Sequence, residues 1–377
     1  MFLKSWPAVY LLAAALVAAS PVFAQSIQQA QELQSRGDWK AAEDAWRSLL
    51  QQSPQDYRLW TSLGITLSHQ NRYNDAIEAY RKALAIQPKD PQTELNLGIT
   101  YFKAGKLPQA IPPLRSAAAA LGDNPQIDTL LGMSLFGTGK YSEAATHLQR
   151  ASAVDPGNVG LRQVLAQSYL YGKQYEKAQS EFKEMLIRDP DSANVHMLLG
   201  EAYDANGQLE PAIKEFQAAA QKGSLPNLHF GLGYLLWKDH KYDQAEAEFR
   251  AELRTDPDNY QALAYLGDVL MKQGKVNEAE QPLRKSVRIH DSIWLTHFHL
   301  GVIAQHQKRY GEASDELRRS IAIDPTRPEP HYRLAQVLKA TGHTETARLE
   351  LEKVAKLHEH KDENLIQKIT GPGPSAR

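Results

Sequence analysis

Thirteen histidines and 44 acidic residues give this chain raw material for metal binding or acid–base work, while cysteine is absent. Without cysteine there is no disulfide framework, no thiolate metal site and no cysteine for lipid attachment. The nearest approach to a phosphate loop is Gly137-Thr138-Gly139-Lys140. Five positions before Gly139 stands Ser134, and Tyr141 follows Lys140, so the spacing that wraps amides and a lysine round a phosphate fails. Phe230-Gly231-Leu232-Gly233 continues an apolar helical stripe and does not close a strand, so it is not a dinucleotide fingerprint. Neither His-Glu-x-x-His nor Gly-x-Ser-x-Gly occurs. His299 and His306 share a helix face, but about 10 Å of rise separates them, too far to chelate one ion unaided. His358 and His360 lie in a polar tail suited to adventitious binding. The residues therefore point to no catalytic group, no cofactor and no metal, and to a protein that is not an enzyme.

Four other histidines point to organisation instead. His196, His229, His297 and His331 occupy one recurring slot, the slot that holds Trp60 earlier in the chain, which reads them as packing or surface residues. The frame is a stride of 34: Leu63-Gly64, Leu97-Gly98 and Leu131-Gly132, followed by Ala76, Ala110 and Ala144. Leu-Gly recurs at Gly200, Gly233, Gly267 and Gly301. Leu63 and Leu67 share one helix face, and Ala76, Tyr80 and Ala83 share a face of the next helix. Small residues at Gly64 and Ala76 let two helix axes approach. Prolines at Pro88, Pro156, Pro190, Pro257 and Pro325 stop the second helix of a pair, having no N–H and clashing with the preceding turn. Polar Asn71-Arg72-Tyr73-Asn74 reads as the turn inside a pair. Units copied at this period stack into a solenoid.

The clearest copy, with Trp60, Leu63, Gly64, Leu67, Ala76, Tyr80, Ala83 and Pro88, resembles the tetratricopeptide-repeat family. That resemblance covers nearly all of residues 25–357 and implies an all-α, right-handed superhelical solenoid of about ten antiparallel helix pairs. The units fall at 25–56, 57–90, 91–124, 125–158, 159–192, 193–225, 226–259, 260–293, 294–327 and 328–357. Residues 358–377 form a polar, partly disordered tail ending in Gly371-Pro372-Gly373-Pro374.

Departures from the pattern carry expectations of their own. Pro112-Pro113 and Pro282 fall inside second helices and predict a kink or a delayed helix start. Gly200 to Gly233 is one residue short, and Glu252 occupies an alanine slot, which together predict altered stacking near 222–256.

The resemblance also implies a concave groove lined by the first helices. Its slots hold Phe102, Phe136, Tyr171, Phe230, Tyr234, Trp237, Tyr265, Phe298 and Tyr332. Asp204, Lys238, Asp268, Lys272 and His299 fall in the same slots. Large apolar surfaces of this kind favour extended protein or peptide partners. Phe230, Tyr234 and Trp237 are read either as an anchor for a partner or as packing between adjacent first helices. The family's carboxylate clamp is not present: Asn96 matches one slot, but Thr61, Ile65, Gln126 and Leu130 stand where the others would be.

A formal net charge of −1 gives no case for nucleic acid. Lys4, the apolar stretch Ala8–Ala19, Pro21 and Val22-Phe23-Ala24 read as a secretory signal, residues 1–24, cleaved after Ala24; the alternative is an uncleaved anchor. Together these make an exported bacterial repeat protein of the periplasm or exterior, with no membrane segment after cleavage. Its expected role is a non-catalytic scaffold for envelope assembly or export machinery. The alternative is a saccharide or small-ligand binder. The oligomeric state stays open.

Overall fold

The computed structural model describes residues 21–370, with side chains from 22 to 359, and among these it holds twenty helices. The chain divides into two compact units, Met1–Glu181 and Phe182–Arg377. The first contains α1 (Pro21–Ser35) and α2 (Trp39–Gln52), α3 (Tyr57–His69) and α4 (Tyr73–Ile86), α5 (Pro91–Lys103) and α6 (Leu107–Leu121), α7 (Pro125–Gly137) and α8 (Tyr141–Val154), and α9 (Val159–Tyr171). The boundary falls within α10 (Tyr175–Arg188). The second unit contains α11 (Ala193–Ala205) and α12 (Leu209–Lys222), α13 (Leu228–Lys238) and α14 (Tyr242–Thr255), α15 (Tyr260–Lys272) and α16 (Val276–Ile289), α17 (Trp294–His306) and α18 (Tyr310–Ile323), and α19 (Pro328–Ala340) and α20 (Thr344–Thr370). Each unit is thus a pile of helix pairs, one pair per repeat. Most of the signal segment, residues 1–20, lies outside the described residues, as does 371–377; Pro21–Ala24 open α1.

The short turn inside each pair has a signature. One residue per repeat adopts left-handed backbone: Gly37, Asn71, Gly105, Gly139, Lys173, Gly207, His240, Gly274, Lys308 and Gly342. Each sits between a first helix and its partner, and Gly207 to His240 repeats the one-residue deletion. The turn is shorter than the polar run at 71–74 suggests, because Tyr73 and Asn74 already belong to α4. Where proline marks the end of a second helix, the helix stops two residues earlier, at Ile86, Val154, Arg188, Thr255 and Ile323.

Pairing rests on small residues. A methyl group added at Gly64 would lie 2.6 Å from the Tyr80 ring, and one at Gly98 2.6 Å from Leu114 Cγ. The large partners Tyr80, Leu114, Leu148, Phe216, Phe249, Leu283 and Leu317, and the alanines Ala76, Ala110 and Ala144, are all buried. Apolar burial of this kind yields about 25 cal/mol per Å².

Two expectations gain detail. Pro112, Pro113 and Pro282 do not delay their helices: α6 starts at Leu107 and α16 at Val276, in register with the other second helices. The four histidine slots, read as packing or surface positions, are buried or half-buried and in addition hold polar clasps. His196, His229, His297 and His331 each bond, through Nδ1, a glutamate 19 positions later: Glu215, Glu248, Glu316 and Glu350.

The seventh repeat shows what its irregularities do. Five first helices begin at an Asp or Asn whose side chain accepts an early N–H, namely Asp56, Asp90, Asn124, Asn158 and Asn259, whereas α11, α17 and α19 have no such bond. α13 has 11 residues and follows Asn227, a left-handed residue without a capping bond. Glu252 replaces the cap. Its Oε2 accepts the Phe230 N–H at 3.1 Å, and its Oε1 accepts Asn259 Nδ2 at 3.3 Å. A buried carboxylate at a helix N-terminus is favourable because the first N–H groups lack partners.

Candidate functional site

The second unit gathers four of the expected aromatic residues into one cluster. Phe230, Tyr234 and Trp237 lie one turn apart along α13, with ring centroids 6.3 Å and 5.6 Å apart in near-parallel planes. Tyr265, on α15, meets Tyr234 at 5.3 Å and Trp237 at 5.1 Å, edge to face. Fully buried Phe249, of α14, supports Phe230 from beneath at 6.1 Å. All four rings are half-buried. They therefore pack between adjacent first helices and also present part of their surface outward. Aromatic pairs at such distances stabilise by about 0.5–1.5 kcal/mol beyond their buried area.

A buried polar group fixes the cluster. Trp237 Nε1–H donates to Asp268 Oδ2 at 2.5 Å, and His299 Nε2 lies 2.6 Å from Asp268 Oδ1. Asp268 is 2% exposed and His299 7% exposed. Burial works to raise the Asp268 pKa, but the hydrogen bond and charge of His299, the Trp237 bond and Lys272 outweigh it and hold the carboxyl below its usual value. Asp268 is thus an ionised acceptor tying α13 to α17 through α15. Burial pushes the Tyr265 hydroxyl up to about 12, helped by Tyr234 and the Asp268 charge and opposed by Arg327, so the ring stays neutral. At the rim Lys238 is paired with Asp204, 2.5 Å away, and faces the Tyr234 ring at 5.8 Å.

The remaining expected residues do not join this cluster. In the first unit Phe136, Tyr141 and Tyr171 form a separate group, with Phe136–Tyr171 at 6.2 Å and Tyr141–Tyr171 at 5.3 Å. Phe102 sits half-buried on α5. In the second unit Phe298 packs against Trp294 and His299, and Tyr332 is exposed on α19. Asp268 and His299 fell in lining slots of the sequence, but their pairing did not show there. Their separation is 31, not the 34 of the repeat, because adjacent first helices meet with an offset.

Among the described residues no group of histidine, aspartate and glutamate is arranged to hold a metal ion, and no helix is long and apolar enough to cross a membrane.

Comparison with known proteins agrees with the geometry. A family model described as tetratricopeptide repeat matches residues 27–91, 164–226 and 230–292, and a second of the same description matches 135–183. These matches reach beyond half of the chain, and the chain belongs to the tetratricopeptide-repeat family. A model for anaphase-promoting complex, cyclosome, subunit 3 also matches residues 69–151. No curated protein matches. Among solved structures, Naa15/Naa10 bound to HypK-THB is similar at 14% identity and a TM-score of 0.50, over 89% of this chain and 64% of that one. This chain thus spans under two thirds of that protein's length, and the likeness is one of fold. A tetratricopeptide repeat protein from Parabacteroides merdae is similar at 16% identity and a TM-score of 0.39, over 66% of this chain and 98% of that one. YrrB, titled a TPR protein with an unusual peptide-binding site, is similar at 20% identity and a TM-score of 0.42, over 48% of this chain and 93% of that one. Arrays of this family are protein-interaction scaffolds and generally non-catalytic.

Proposed function

We propose that this chain is an adaptor of the cell envelope that holds an extended protein or peptide segment against the α13–α15 aromatic cluster. The observation that carries the reading is the half-exposed set Phe230, Tyr234, Trp237 and Tyr265, held from beneath by buried Asp268 and Phe249. Aromatic side chains anchor interfaces well because they bury large areas while losing few rotatable bonds, and a surface already ordered binds at lower entropic cost. Lys238, exposed at the rim, adds a polar edge of the kind that surrounds an apolar anchor. Export rests on the leader pattern of Lys4, Ala8–Ala19 and Ala24.

The test is a photo-crosslinking amino acid placed at Lys238, in the native cell, with Glu278 on α16 as the control position. A partner captured from Lys238 and not from Glu278, and weakened by Tyr234→Ala in a chain that keeps its helicity, supports the reading. Equal capture from both positions, or undiminished capture by the alanine variant, overturns it. Mass spectrometry of the native N-terminus tests the cleaved leader, for which the mature chain begins at Gln25, and cell fractionation tests export.

A further inference from the structure

Both ring nitrogens of His297 face oxygens that only accept. Nδ1 lies 2.6 Å from Glu316 Oε2, and Nε2 lies 3.0 Å from the backbone carbonyl of Asp291. A neutral imidazole carries one N–H and satisfies one of them, leaving its other nitrogen lone pair against an oxygen. The imidazolium carries two and satisfies both. His297 is 1% exposed, so bulk water does not take over the bond that a neutral ring leaves unmade.

The same slot in the second repeat shows what the histidine replaces. Trp60 Nε1–H donates to the Pro54 carbonyl, six residues back, at 2.9 Å. His297 Nε2 reaches the carbonyl six residues back in the same way. A tryptophan donor does not titrate, whereas an imidazole does. The glutamate contact is an addition, since the residue 19 after Trp60 is Ala79. His196 makes both contacts again, at 2.6 Å to Glu215 and 3.1 Å to the Pro190 carbonyl.

We infer that His297 is an acid-tightened clasp: protonated, it ties α17 both to α18 and to the chain entering α17, and loss of its proton releases one tie and loosens the ninth repeat. The charged groups acting on it are Glu316 and Arg319 of α18, with Arg284 of α16 acting on Glu316. Burial opposes the cation, but the bonds to Glu316 and the Asp291 carbonyl and the Glu316 charge outweigh burial and Arg319, and the His297 pKa is raised. Burial likewise opposes the Glu316 anion, yet His297, Arg319 and Arg284 hold its pKa below the usual value. A raised histidine contributes stability that is complete below its unfolded pKa of about 6.5 and lost as pH rises through the folded value. A lowered glutamate sets the acid limit, its contribution being lost as pH falls through its own folded value. The clasp therefore works between those two limits.

The test uses the mature chain. Histidine ring resonances followed by NMR from pH 5 to 9 should give His297 a midpoint above the ordinary value of about 6.5. The urea midpoint for unfolding of the second unit should fall as pH rises above about 6.5, and fall less in His297→Gln. His297→Trp, which copies Trp60, should also remove part of the pH dependence while retaining the donor to Asp291. A His297 midpoint at or below the ordinary value, or an undiminished pH dependence in both variants, overturns the inference. The ring titration of the unaltered chain decides the matter even where a variant does not fold.

Discussion

The carboxylate of Glu252 accepts the backbone N–H of Phe230, 22 positions earlier in the chain and 3.1 Å away. The contact joins two departures from the repeat that look independent in the sequence: a deleted residue before α13 and an acid in an alanine slot. α13 has no side-chain cap of its own, and the acid supplies one from the neighbouring helix. In the next two repeats the same slot holds Ser286 and Ser320, which donate to the carbonyls of Tyr260 and Trp294 at the start of their own first helices. The slot therefore reads the opening of the first helix wherever it is polar. Glu252→Ala, although it restores the family residue, should destabilise the second unit. It removes a charged acceptor from an N-terminus and leaves Asn259 Nδ2 with one acceptor fewer, a loss of about 2–3 kcal/mol. Urea unfolding measures the loss, and faster exchange of the Phe230 amide localises it; a variant as stable as the parent would refute the capping role.

Gly98 and Leu114 allow a coupling measurement in the first unit. Alanine at Gly98 places its methyl 2.6 Å from the Leu114 branch point Cγ and 2.7 Å from its terminal Cδ2. Helix propensity favours alanine over glycine by about 1 kcal/mol, but overpacking costs about 1–3 kcal/mol. The clash wins over most of that range, and Gly98→Ala should lose up to about 2 kcal/mol net. Leu114→Ala opens a cavity at a cost of about 2–5 kcal/mol. The double variant should be more stable than the sum of the two losses by about 1 kcal/mol or more, since the new methyl enters the vacated space. Strict additivity in the double-mutant cycle would show that the two side chains do not compete for one volume.

Lys308 adopts φ of 60° in the turn between α17 and α18, where Gly274 and Gly342 stand in the flanking repeats. A side chain in left-handed backbone costs about 1 kcal/mol that glycine avoids. The exposed Lys308 side chain offers little to offset this, so Lys308→Gly should raise stability by about 0.5–1 kcal/mol, glycine's larger unfolded-state entropy taking back part of the gain. A thermal melt read alongside the parent checks it; a lower melting temperature would contradict the backbone argument.

The spacing of Leu63-Gly64, Ala76, Tyr80 and Pro88 was enough to place helix pairs, because each residue type answers to a contact within its own repeat. Gly64 meets Tyr80, and Pro88 ends α4, with no need to know what lies next door. The site was legible only in part. Phe230, Tyr234 and Trp237 share a helix face by spacing alone, but Tyr265 joins them through a meeting of α13 with α15, at a separation that the repeat period does not give. The bonds of Asp268 to His299 and Trp237 escaped for the same reason. The histidine–glutamate clasps did leave a signal, since glutamates stand 19 positions after four histidines of one slot. Treating that slot as uniform packing hid it, because a shared register says where a residue sits and not whether it has been given a charged partner.

Asp268 joins the stability of the aromatic cluster to pH. It accepts from Trp237 and His299 at once while only 2% exposed, so Asp268→Ala leaves two buried donors without their acceptor and should cost about 3 kcal/mol near neutral pH. The sign of the pH dependence follows from its lowered pKa. The carboxylate's contribution is complete above its unfolded pKa of about 3.9 and is lost as pH falls through the lower folded value. The gap between parent and variant should therefore be constant from pH 7 down to about 5 and narrow in stronger acid. Urea midpoints of both proteins across that range measure it, with the Trp237 indole N–H resonance as a local reporter. A gap that widens on acidification would mean that Asp268 is protonated in the folded chain, and that the indole and the histidine are held by something other than its charge.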